Sequence, residues 1–159
     1  MFNKISRKQF LEDSVDKFVE YDRIKLPKRA TSGSAGYDIY SVCDFTLHPG
    51  EEIKLPTGIN IEMDNNYFLM IVPRSGLGFK YGVRLKNSTG IIDADYINSD
   101  NEGHIWIKMD YPVLNCKQEP MVIKQGDAIC QGILLPYGKF IDEENSFKTR
   151  NGGFGSTSR

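Results

Sequence analysis

The sequence predicts an all-β protein, a sandwich or barrel of many short strands, preceded by one short amphipathic helix. Short runs rich in β-branched and aromatic residues follow one another from Tyr37 to Leu135. Glycine, proline and asparagine separate those runs, and a single stretch carries a helical period. No repeat of fixed period is visible that would point to a solenoid or a propeller.

The helix is expected over residues 6–19. Ser6 and Gln9 have capping-box spacing, and Phe10, Leu11, Val15, Phe18 and Val19 fall on one face, which would pack on the body or on a neighbouring subunit. Strands are expected at 37–40, 52–55, 58–61, 67–72, 104–109, 121–123 and 129–135. The chain thus divides into a helical extension (1–23), a β-rich core (24–137) and a polar C-terminal arm (138–159). The arm carries Arg150 and a glycine-flanked Phe154. A frayed terminus has that composition, and so has a flexible arm that closes a stacking ring and a cation over a ligand.

Composition narrows the function. With 159 residues and 40% apolar content, the chain is one domain of ordinary size. A formal net charge of −1 leaves no basic footprint for a nucleic-acid polymer, though a few arginines can still grip a small anion. No apolar run approaches the ~18 residues of a membrane span, and the N-terminus lacks the apolar stretch of a secretory signal. Cys43, Cys116 and Cys130 are widely spaced and odd in number, which argues against a disulfide framework or structural zinc and fits a reducing cytoplasm. Two histidines, His48 and His104, make a multi-histidine metal site unexpected.

Chemistry concentrates in Pro73-Arg74-Ser75-Gly76-Leu77-Gly78 and Gly90-Ile91-Ile92-Asp93-Ala94-Asp95-Tyr96. Together they offer a guanidinium, a hydroxyl, a glycine-exposed backbone and a carboxylate, the parts needed to hold a polyphosphate and aim a water at it. Asp93 is the candidate base. Asp95 would share its face in a strand and reads as structural.

These stretches, with Ala35-Gly36-Tyr37-Asp38-Ile39 before them and Gly126-Asp127-Ala128-Ile129-Cys130-Gln131 and Arg150 to Thr157 after them, are five ordered motifs that resemble those of the trimeric dUTP pyrophosphatases (dUTPases). The resemblance spans about residues 24–157. It implies a jelly-roll-like, distorted β-barrel, a homotrimer with shared active sites, and hydrolysis of dUTP to dUMP and pyrophosphate with Mg²⁺ bound to the triphosphate. It also implies roles. Arg74, Ser75 and Gly76 would hold the phosphate chain with Gln131, and Asp38 would brace the site and the magnesium's waters. Asn87 would read uracil, aided by backbone from Ser88 through Gly90 and Ile91, with Ile92 in the same motif. Tyr96 would wall off a 2′-hydroxyl. Phe154 would stack on uracil and Arg150 would reach the terminal phosphate, with Gly155 and Ser156 in the same arm.

Three departures stand out. Ala128 replaces an arginine common in relatives, residues 97–103 look like an extra loop that upsets the register between Tyr96 and Trp106, and only Asn151 separates Arg150 from its glycine pair. A dCTP deaminase is the alternative enzyme, although Pro73 to Gly78 lacks the glutamate expected of one. A dUTP-responsive interaction switch, docking a protein partner through the N-terminal helix or the 97–103 loop, is the alternative of another class.

Overall fold

A computed structural model describes residues 1–14 and 19–140. In chain order the described residues form β1 (Phe2–Lys4), α1 (Arg7–Asp13), β2 (Lys28–Arg29), β3 (Tyr37–Tyr40), β4 (Phe45–Leu47), β5 (Glu52–Pro56), β6 (Ile59–Ile61), β7 (Tyr67–Pro73), α2 (Ser75–Tyr81), β8 (Arg84–Leu85), β9 (Gly90–Asp93), β10 (Trp106–Asp110), β11 (Met121–Ile123) and β12 (Ala128–Pro136), with 3-10 turns at Tyr21–Arg23 and Ala94–Asn98. The protein is mostly β, as the sequence predicts. No helix among the described residues is long and apolar enough to cross a membrane.

All the strand pairs among the described residues are antiparallel. The largest sheet runs β2-β3-β12-β7-β9, and a second runs β5-β10-β8. Two-stranded ribbons β11-β4 and β1-β6 complete the body. Alternation sets the core: Leu69 and Ile71 of β7, Leu55 of β5, and Ile107 and Met109 of β10 are buried while their chain neighbours face outward. Gly132 lies where a β-carbon would come within 2.9 Å of Leu69, so the centre of β12 packs closely on β7.

The helix is shorter than expected. Ser6 does cap it, its hydroxyl accepting from the Gln9 N–H at 3.1 Å. Ser14, however, is extended, and Val19 and Glu20 are not helical; Val15 and Phe18 lie outside the described residues. Leu11 is exposed, and among the described residues of the expected stripe Phe10 alone is fully buried. The segment before α1 instead pairs as β1 with β6, so the N-terminus joins a sheet.

A second correction concerns Asp95. It lies in the 3-10 turn Ala94–Asn98, not in a strand, so period-two reasoning does not give it the face of Asp93. The loop that follows turns back on the body through Glu102 and Gly103, both at positive φ. A β-carbon on Gly103 would lie 2.6 Å from the Ile97 Cα, a contact only glycine avoids.

That turn buries His104 completely. Its Nε2 accepts from the Gly58 N–H at 2.9 Å, so the ring proton sits on Nδ1 and is donated to the Asp13 Oδ2 at 2.5 Å. Burial pushes the His104 pKa below its ordinary 6.5, against the opposing pull of Asp13 and Glu102. Between the two values the unfolded chain binds more protons than the folded one. The contribution to stability is therefore complete above about pH 6.5 and is lost as pH falls through the folded value. Denaturation of the wild type between pH 7 and pH 5 is expected to show an acid-side loss of up to about 1.4 kcal/mol per pH unit that His104→Gln lacks. Identical pH profiles would contradict this.

Candidate active site

The expected residues fall into two groups, one along the pairing of β9 with β7 and one beyond the last residue of β7. The first surrounds a pocket of about 400 Å³ where β7 and β9 of the large sheet meet β8 and β10 of the smaller one. Asn87, Gly90, Ile91, Ile92 and Tyr96 line it, together with Ile71, Leu85, Lys86, Trp106, Ile107 and Lys108, which the sequence reading did not single out. That volume suits one nucleoside-sized ligand.

Local geometry explains the wall. The link from β8 to β9 is pinned by the Ser88 N–H to the Leu85 carbonyl (2.9 Å) and the Lys86 N–H to the Lys108 carbonyl (2.9 Å), with Ser88 at φ 62°. This holds exposed Asn87 at the rim. Gly90 is buried against Ile71, which it opposes in the ladder. Tyr96 is buried, and its hydroxyl donates to the His104 carbonyl at 3.0 Å and accepts from the Asn101 amide at 3.0 Å. The phenol is thus satisfied inside the protein, and its ring is left to form the wall. On the outer face of β10, Lys108 (2.5 Å) and Lys86 (2.8 Å) both grip Glu52, and these contacts, Lys108 first, hold its carboxyl down at about 2. Trp106 sits beside them with the Lys54 ammonium 4.4 Å from its ring centre.

Asp93 ends β9 and precedes the 3-10 turn that carries Tyr96. It is exposed, on the same side of the strand as Ile91, and opposite Phe68 in the ladder.

The second group lies beyond the C-terminal end of β7. Arg74 follows that strand and leads into α2, whose first residues are Ser75 and Gly76. The Arg74 Nε lies 3.5 Å from the Asp38 carboxylate. Asp38 and Gln131 oppose each other across β3 and β12, so their side chains share a face. The Gln131 amide reaches the Pro73 carbonyl at 3.5 Å. Gly36 makes room for that side chain: a β-carbon there would fall 2.3 Å from the Gln131 Oε1. The result is a cation, an amide and a carboxylate gathered beside the start of α2, where Ser75 and Gly76 follow Arg74.

One chain does not bring the two groups together. Asp93 opposes Phe68 near the start of β7, whereas Arg74 follows its last residue, roughly 20 Å away at the rise of an extended strand. The short sequence separation of the two motifs gave no sign of this. Arg150, Phe154, Gly155 and Ser156 lie outside the described residues.

The sequence model of the dUTPase family matches residues 22–158. The chain belongs to the dUTPase family. Among similar dUTPases, the deoxyuridine 5′-triphosphate nucleotidohydrolase of Lactococcus lactis subsp. lactis is 41% identical over 136 residues, covering 84% of this chain and 88% of the relative. That of Finegoldia magna is 41% identical over 147 residues, covering 89% and 96%. The crystal structure of the Streptococcus mutans dUTPase is similar with a TM-score of 0.67 at 31% identity, over 87% of this chain and 97% of the other. A mutant dUTPase from phage phi11 of S. aureus shares the fold (TM-score 0.65, 19% identity, 93% and 97% coverage) and is described as coordinating a structural Mg(II) ion.

Proposed function

We propose that the protein hydrolyses dUTP to dUMP and pyrophosphate, which limits uracil incorporation into DNA and supplies dUMP for thymidylate synthesis. The observation that carries this reading is the pocket in which Asn87, Gly90 and Tyr96 converge, one strand end from Asp93, in a chain of the dUTPase family. Asn87 and the backbone of 88–91 pair with the imide edge of uracil, which leaves buried groups unpaired when cytosine enters. The Tyr96 ring meets the deoxyribose where a ribose would carry its 2′-hydroxyl.

Asp93 accepts a proton from a water whose oxygen bonds to the α-phosphorus as the bond to the bridging oxygen breaks and pyrophosphate departs. Arg74, Ser75, Gly76 and Gln131 hold the phosphate chain. Mg²⁺ held by the triphosphate would supply charge neutralisation for the leaving group. Among the described residues no three His, Cys, Asp or Glu side chains gather around one point. The carboxylate of Asp38 fits a partner for the waters that magnesium keeps.

The separation of Asp93 from Arg74 supports a homotrimer in which the nucleoside half of one copy faces the phosphate half of another, with Arg150, Phe154, Gly155 and Ser156 closing the site. On this reading 24–137 is a jelly-roll-like, distorted barrel, 1–23 an extension docked on it, and 138–159 the arm, in a cytoplasmic enzyme.

Pyrophosphate release with dUTP, UTP, dTTP and dCTP in parallel, with and without Mg²⁺, tests the proposal. Turnover of dUTP is expected to exceed the others by at least ~10²-fold, the size of a site whose polar groups go unpaired with the wrong substrate. Ammonia release from dCTP would instead identify a deaminase.

A further inference from the structure

Two segments remain without a part in this chemistry, the N-terminal helix α1 and the loop after Tyr96, and they meet. At the start of α1, the Ser6 N–H and hydroxyl both donate to the Glu102 carboxylate, at 2.6 and 2.7 Å. The Asn60 amide holds the Glu102 carbonyl at 2.8 Å. At the end of α1, Asp13 accepts from the His104 Nδ1 and, at 3.1 Å, from Gln9 of its own helix. Between the two anchors, buried Phe10 sets its ring 6.3 Å from that of His104.

His104 faces the pocket by two routes. Its carbonyl receives the Tyr96 hydroxyl, which Asn101 of the same loop also holds. Its ring packs against that of Trp106, with centroids 5.3 Å apart. Tyr96 and Trp106 both line the pocket. From α1 to the wall, every step is therefore a hydrogen bond or a packed ring.

We infer that α1 is a positioning element of the active site: Asp13 and Glu102 fix His104 and its loop, and these hold Tyr96 and Trp106 as a rigid wall. The inference rests on reading the pocket as the nucleoside half. A wall that excludes one hydroxyl works only if it does not yield, which requires packing and hydrogen bonds behind it. Tyr96 cannot tilt outward without giving up its hydrogen bonds to the His104 carbonyl and the Asn101 amide. Removing the Asp13 carboxylate leaves the buried His104 N–H unpaired, and the loop is then free to seek another arrangement.

Steady-state hydrolysis of dUTP and UTP by Asp13→Ala, Glu102→Ala and Asp13→Asn tests this. Both alanine variants are expected to raise KM for dUTP ~5- to 10-fold, about the effect of one lost hydrogen bond, with kcat within ~2-fold. The dUTP-to-UTP ratio of kcat/KM should fall by a similar factor. Asp13→Asn, whose amide oxygen still accepts from the neutral imidazole, should stay near the wild type. If the alanine variants lose thermal stability but keep KM and the ratio, α1 is scaffold only and the inference is overturned. It is equally overturned if Asp13→Asn fails as badly as Asp13→Ala. Should Asp13→Ala not fold, Glu102→Ala and Ser6→Ala carry the same comparison. A wild type that leaves dUTP intact refutes the functional reading, whereas an active wild type with unmoved variants refutes this inference alone.

Discussion

Asp93→Asn is expected to lower kcat on dUTP by at least ~10²-fold while leaving the fold and nucleotide binding in place. The side chain stands on the exposed side of β9, clear of the core, and asparagine matches aspartate in shape. The backbone there is ordinary extended chain (φ −77°, ψ 156°), so the substitution introduces no strain. What disappears is the capacity to take a proton from the attacking water. Single-turnover rates beside a dUMP titration separate the two effects, and a variant with full rate would remove Asp93 from the mechanism. Because Asp93 and Arg74 lie at opposite ends of β7, the same variant also tests the shared site. Co-refolding inactive Asp93→Asn with inactive Arg74→Ala should recover activity that neither has alone, since mixed assemblies contain sites with both residues intact.

The largest expected loss of stability follows from Phe10→Ala, at about 3–5 kcal/mol. Phe10 is fully buried, with its ring 5.8 Å from that of Tyr21 and 6.3 Å from that of His104. A β-carbon on Gly58 would come within 3.2 Å of its ring edge, so the residue fills the space tightly. Truncation opens a cavity that rigid sheet neighbours cannot close. Such a loss is a large part of the ~5–15 kcal/mol that holds a typical domain together. Urea denaturation measures it directly, and a change below ~1 kcal/mol would mean that the N-terminal segment is not part of the core.

Strands longer than a few residues were legible because their alternation is a local property. β3, β5, β7, β10 and β12 lie where runs such as Tyr67 to Val72 and Ile129 to Leu135 put them. β2 and β8 were not, since two residues such as Lys28 and Arg29 carry no period, and β1, β4 and β9, of three or four residues, were missed as well. α2 was missed because Ser75, Gly76 and Gly78 read as a phosphate loop; Gly82, left-handed at φ 68°, was the stop signal that would have revealed it. The motifs supplied Asn87, Gly90 and Tyr96 for the pocket. Trp106, Lys86 and Lys108 join them only through the pairing of β8 with β10, which no local pattern encodes. Likewise, Asp13 and His104 are 91 residues apart in sequence, and the loop that looked like an insertion proved to be the seat of α1.

The placement of Asp93 and Arg74 at opposite ends of β7 also has a genetic consequence for a site shared as proposed. On the proposed sharing, each chain would lend its base to one site and its arginine to another, so a chain defective in one of these groups still completes a site with the other. An allele affecting Asp93 and an allele affecting Arg74 should therefore complement each other when co-expressed, whereas two alleles affecting Asp93, or two that prevent folding, should not.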